Sequence, residues 1–210
     1  GAHGGLLDLT FGTFPYVTSS SCIAAGVCAG AGVGPTKIGE TMGVLKAFTT
    51  RVGMGPFPTE FSESEKLGFM GINEAREVAT TTGRERRMGW FDAPLVRYTI
   101  QLNGVDTLAL TKLDVLDNLA EIKVCTGYSL DGQLLSTPPA DLTDFERVTP
   151  IYETLPGWES STRDIKKLRA LPKNARGYLD RIEELCNAPI GIVSVGPERE
   201  RTLQLEEELV

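Results

Sequence analysis

Thr107-Leu108-Ala109-Leu110-Thr111-Lys112-Leu113-Asp114 decides the fold class. A short apolar run reads as a buried strand, and it ends on a cation and a carboxylate two residues apart. Ligands of open α/β sheets gather beyond the carboxyl ends of strands, so a specificity motif belongs there. The chain therefore reads as an α/β protein with its chemistry on loops at one sheet edge.

Other elements fit that frame. Gly43 to Val52 is β-branched and aromatic toward its end and reads as one strand, broken by Gly53-Met54-Gly55-Pro56-Phe57-Pro58. Ala93 to Asn103 reads as a helix ended near Gly104, and Asn174 to Cys186 as an amphipathic helix with Tyr178, Leu179, Ile182 and Leu185 on one face. Glu121 to Tyr128 alternates like a strand that returns through an Asp131-Gly132 turn. Pro189 to Pro197 is a second buried strand, ending in Ser194-Val195-Gly196. Ser62 to Arg76 reads as a surface helix or excursion, Pro138 to Val148 as a connector, Tyr152 to Trp158 as a rigid turn, and Glu198 to Val210 as a last short strand or loose end. Gly1 to Asp8 reads as the end of a strand feeding a glycine turn. A strand there needs partners from elsewhere in the sheet, so a preceding N-terminal portion is expected.

At 210 residues, 41% hydrophobic and 23% charged, the chain has the composition of a folded globular protein and the length of one α/β unit. No apolar run approaches membrane-spanning length, and the expected compartment is the cytoplasm. A net charge of −7 argues against general affinity for nucleic acid, so basic loops must address small anions. Four scattered cysteines and one histidine do not make a zinc site.

The densest such loop is Thr80-Thr81-Thr82-Gly83-Arg84-Glu85-Arg86-Arg87-Met88-Gly89-Trp90. Hydroxyls and amides donate, glycine permits close approach, and arginine grips a carboxylate or phosphate at two points. A solvated basic turn would look the same. Thr18 to Ser21 places hydroxyls before a small-residue run, either to cap a phosphate or simply to start a helix. The glycines that follow match neither the Walker pattern nor the dinucleotide fingerprint. In Thr111-Lys112-Leu113-Asp114 a carboxylate can accept from the ring N–H and exocyclic amine of guanine together, while the lysine stem lies along the base. Ser194-Val195-Gly196 can close the far side of that pocket through backbone groups.

Taken together, His3-Gly4-Gly5-Leu6-Leu7-Asp8, Gly12 to Ser20, Thr49 to Glu60, Thr81-Thr82-Gly83-Arg84, Leu110 to Leu116, Tyr152 to Trp158 and Ser194 to Pro197 closely resemble the C-terminal half of the adenylosuccinate synthetase family, in order and over nearly the whole chain. The resemblance implies a mostly parallel sheet flanked by helices, a P-loop NTPase-like core without its N-terminal phosphate loop, with residues 1–210 forming a single domain. It implies a GTP-dependent ligase that joins IMP and L-aspartate to give adenylosuccinate, GDP and phosphate. Mg2+ would be bound by residues preceding this chain, and the enzyme would be a cytoplasmic homodimer.

The resemblance also implies roles. Thr18, Val52 and Arg84 would meet IMP, and Thr80, Thr81, Thr82, Gly83, Arg84, Glu85 and Arg86 would form the aspartate loop. Arg86, Lys112, Leu113, Asp114, Ser194, Val195 and Gly196 would bind GTP. His3 replaces a glutamine near the purine 6-oxygen; an imidazole donates one hydrogen bond there but cannot copy an amide's paired donor and acceptor. Glu85 stands where the family tends to carry a basic residue or proline. Without the family's phosphate loop and catalytic residues, this polypeptide alone is expected to lack the chemical step. The alternative is a truncated, noncatalytic purine-nucleotide binding module.

Overall fold

The computed structural model describes residues 4–72 and 85–204. Gly5–Leu7 forms a 3-10 turn, not the expected strand end, and its carbonyls are taken by following amides such as Asp8 N to Gly5 O at 3.2 Å. Helix α1 (Ala25–Ala31) follows, closed by Gly32 in the left-handed region. Gly43 to Val52 divides into two strands, β1 (Met42–Lys46) and β2 (Thr49–Arg51). The break falls at buried Ala47 and Phe48: Ala47 N donates to Thr111 O (2.8 Å), while Ala47 O accepts the buried Tyr178 hydroxyl (2.6 Å). The first is the last bond of the β1–β5 ladder, and the second takes the carbonyl that a further ladder bond would need, so the strand ends here.

Helix α2 (Glu63–Ile72) lies in the segment read as a surface helix or excursion. The predicted central loop is in part a strand, β3 (Arg87–Gly89), paired antiparallel with β2, and β4 (Phe91–Asp92) follows. Helix α3 (Ala93–Asn103) has the expected bounds. Asp92 caps it by accepting from Leu95 N, and Gly104 ends it at φ 57, where a Cβ is disfavoured.

Strand β5 (Thr107–Thr111) is the predicted apolar strand, and β6 (Glu121–Leu130) returns to β7 (Gln133–Leu135) through Asp131 and Gly132, both at positive φ. The Pro138 to Val148 connector contains a helix, α4 (Leu142–Arg147), nucleated by Asp141, which accepts from Thr143 N and Asp144 N. The predicted rigid turn from Tyr152 is mostly strand β8 (Thr149–Pro156), paired along β6 so that the turn begins only at Gly157. Helix α5 (Lys173–Cys186), β9 (Ile190–Ser194) and β10 (Thr202–Gln204) complete the described chain.

The main sheet has the order β1-β5-β9-β10, with β1, β5 and β9 parallel and β10 antiparallel. In the second sheet β4 pairs parallel with β6, while β7 and β8 pair antiparallel with it. Ala175, Tyr178, Leu179, Ile182 and Cys186 form the buried stripe of α5 and pack with Leu108, Leu110 and Val193 of the main sheet. Each large apolar side chain so buried is worth about 1.5–3 kcal/mol, which makes this layer the anchor of the sheet edge described next.

Candidate nucleotide site at the carboxyl edge

Because β1, β5 and β9 are parallel and in register at Lys46 with Thr111 and Leu110 with Val193, their carboxyl ends open on one edge. From that edge leave the segment to Val52, the Lys112–Asp114 turn and Ser194–Gly196. Three stretches that are far apart in sequence are thus delivered to one side of one sheet.

Lys112 adopts the left-handed conformation (φ 61) and starts a 3-10 turn over Leu113–Leu116, which packs against β9. Leu113 and Leu116 are fully buried, pinning the turn and fixing Asp114 between them. The Asp114 side chain is only 6% exposed. Burial pushes its pKa up, the Arg163 guanidinium opposes that, and the neighbouring Asp117 carboxylate reinforces it. Arg163 Nε approaches Asp114 Oδ2 at 3.4 Å. Opposite, Ser194 Oγ donates to Gly196 O (2.8 Å), and a Cβ on Gly196 would lie 2.3 Å from Arg201 Cδ, so the chain closes tightly there.

Asp117 organises the segment that carries Arg163. Its buried carboxylate accepts from Trp158 Nε1 (2.8 Å), Thr162 N (2.7 Å) and Thr162 Oγ (2.8 Å). Gly157 lets that segment pass: its amide donates to Ala120 O (2.7 Å), and a Cβ there would sit 1.6 Å from Leu119 O.

The second group surrounds Thr18 and Val52. Buried Asp8 accepts from Thr10 N, Phe11 N, Ser21 Oγ and Cys22 N at 2.7–3.0 Å, tying both ends of the Phe11 to Ser21 segment together. Burial alone would raise the Asp8 pKa, but these donors outweigh it and hold the carboxyl at about 2. Thr18 is fixed by its amide to Leu7 O (2.9 Å), and its hydroxyl accepts from Ser20 N (3.2 Å). Arg51, next to half-exposed Val52, spans the two segments: Nη2 donates to Thr13 Oγ (2.9 Å) and Tyr16 O (3.3 Å), Nε to Met54 O (3.0 Å). Burial and the nearby Arg87 charge lower its pKa. Arg87 in turn donates to Gly55 O (2.8 Å) and pairs with Glu60. A cavity of about 440 Å³ lies among Tyr16, Met54, Phe57, Arg87 and Phe145.

Thus the structure brings Lys112, Leu113 and Asp114 together with Ser194, Val195 and Gly196, and joins the segments carrying Thr18 and Val52. Glu85 is exposed and Arg86 half-buried. His3, Thr80, Thr81, Thr82, Gly83 and Arg84 lie outside the described residues. Sequence reasoning missed Asp8, Arg51, Asp117 and Arg163 as organisers. Asp117 directly follows a predicted motif, but nothing local shows that its partners sit 41 and 45 residues away. Among the described residues no group of three or more His, Cys, Asp or Glu could hold a metal ion.

These features define an α/β protein whose candidate binding loops leave the carboxyl ends of parallel strands. The chain belongs to the adenylosuccinate synthetase family, whose sequence profile matches residues 1–203. It is 55% identical over 207 residues to the adenylosuccinate synthetase of Crocosphaera subtropica and 54% identical over 209 residues to that of Thermosynechococcus vestitus, covering 99% of this chain and 46% of each relative. The fully ligated adenylosuccinate synthetase of Plasmodium falciparum superposes with a TM-score of 0.91 at 37% identity, covering 97% of this chain and 48% of that one. The chain spans about half the length of these relatives.

Proposed function

We propose that residues 1–210 form one domain, the C-terminal portion of a GTP-dependent ligase that joins IMP and L-aspartate into adenylosuccinate. This portion supplies the guanine-reading pocket, part of the IMP site and the aspartate loop. The observation that carries the reading is the meeting of the Asp114 turn with Ser194–Gly196 at the carboxyl ends of adjacent parallel strands. A nearly buried carboxylate there accepts two donors side by side, which guanine offers and adenine does not.

In this reading Thr18 meets the IMP phosphate, held by the Asp8 hub, and Arg51 keeps its segment against the one carrying Val52. Thr80 to Arg86 form the aspartate loop; Arg84 bridges the aspartate carboxylate and IMP, and Arg86 also reaches GTP. Transfer of the γ-phosphoryl group to the purine 6-oxygen, followed by displacement by the aspartate amine, is largely a matter of positioning and charge stabilisation. This chain contributes the positioning. Mg2+, the phosphate-binding loop and the catalytic acid–base groups belong to the part of the enzyme outside it. The assembled enzyme acts as a cytoplasmic homodimer.

The test is formation of adenylosuccinate from GTP, IMP, L-aspartate and Mg2+. The 210-residue chain alone should show no turnover, and mixing it with the complementary N-terminal part of the Crocosphaera subtropica relative should restore activity. Turnover by the chain alone would overturn the division of labour. Guanine-nucleotide binding without turnover in the mixture would favour a noncatalytic purine-nucleotide binding module instead.

A further inference from the structure

Asp114 already has a partner. Arg163 is about half exposed, yet its Nε points at Oδ2 of a carboxylate that is almost fully buried. It does not reach there as a loose surface side chain. Thr162, completely buried, is bonded through both its amide and hydroxyl to Asp117, and Trp158 is bonded to the same carboxylate, so the backbone beside Arg163 is fixed near Asp114. A guanidinium presents adjacent N–H donors in a plane, the arrangement found on the N1–H and N2–H edge of guanine.

We propose that Arg163 is a stand-in for the base: it partners Asp114, keeping the carboxylate an acceptor, and a guanine base displaces it. This rests on the guanine-reading role assigned to Asp114. Burial and the Asp117 charge both favour protonation of Asp114, which would replace an acceptor by a donor; Arg163 works against them. The cost is competition, since every base that reaches Asp114 must first break the same contact. Arg163 therefore lowers affinity for all such bases by one common factor and leaves their ranking to Asp114.

Two measurements on the 210-residue chain test this, comparing wild type, Arg163→Ala and Asp114→Asn. In the ligand-free protein, the carbon-13 carboxyl titration of Asp114 should move to higher pH in Arg163→Ala; an unmoved midpoint would overturn the pairing. At pH 8 and low salt, Arg163→Ala should bind GDP and IDP about two- to fivefold tighter, by the same factor, with the gain shrinking in high salt, as expected for a half-exposed ion pair. Weaker binding of GDP by Arg163→Ala would mean that Arg163 grips the nucleotide, and unchanged binding that it does not compete; either overturns the proposal. If Asp114→Asn keeps the wild-type ranking of GDP over IDP, or if no variant binds GDP even when mixed with the complementary N-terminal part, the guanine-reading role fails instead. The ligand-free titration still reports on the Arg163 contact by itself.

Discussion

Replacing Asp92 by Asn tests the electrostatics beneath the IMP-side loop. Asp92 caps α3, accepts from Tyr128 Oη (2.6 Å) and Leu95 N (3.2 Å) through Oδ1, and leaves Oδ2 buried with no hydrogen-bond partner among the described residues. The helix it caps supports the Thr18 segment: Tyr98 Oη donates to Phe11 O (2.8 Å), and Asn103 Oδ1 accepts from Ala24 N (2.8 Å). Burial pushes the Asp92 pKa up to about 6 from 3.8, despite the Tyr128 and Leu95 donors and the Arg97 charge. At 1.36 kcal/mol per tenfold change in proton affinity, this amounts to about 3 kcal/mol.

The sign follows from linkage. The folded state binds the proton more tightly than the unfolded chain, so stability is full below about pH 4, falls as pH rises through about 6, and is flat above. Asparagine keeps the Oδ1 acceptor but cannot ionise. Urea unfolding of wild type and Asp92→Asn at pH 4 and pH 8 should give a double difference of about 3 kcal/mol, with wild type alone losing stability toward pH 8. Parallel pH dependences, within about 0.5 kcal/mol, would refute the assignment of a strained, ionisable Asp92.

Three further substitutions probe the scaffold of the sites. Asp117→Ala strands Trp158 Nε1 and both Thr162 donors, and should cost about 3–5 kcal/mol in chemical denaturation while weakening GDP binding. Gly157→Ala forces a Cβ against Leu119 O, and should lower stability by about 3 kcal/mol or more, read as a drop in the thermal midpoint. Arg51→Lys loses the fork that holds Thr13, Tyr16 and Met54 together, and should cost about 1–2 kcal/mol; IMP affinity should fall and GDP affinity should not, as measured by calorimetry in the reconstituted enzyme.

The legible parts of the sequence were those with a local signature. The end of α3 followed from Gly104, α5 from its apolar stripe, and the β6 to β7 hairpin from Asp131-Gly132. The Lys112–Asp114 motif was legible because it follows an unbroken apolar strand. Features decided by distant partners were not. Gly43 to Val52 reads as one strand until Tyr178, 131 residues away, takes the carbonyl of Ala47. Tyr152 to Pro156 reads as a turn because Pro156 and Gly157 dominate locally, yet β6 offers it a complete antiparallel ladder. Asp8, Asp117 and Arg163 carry no sequence signal that separates a buried hub from a solvated charge.

The most direct test of the account is the preference of the 210-residue chain for GDP over IDP, which differ by the exocyclic amine that Asp114 is assigned to accept. Wild type should favour GDP, and Asp114→Asn should lose about 1–3 kcal/mol of that preference, the value of a charged hydrogen bond. An undiminished preference in Asp114→Asn would contradict the claim that this carboxylate reads the base.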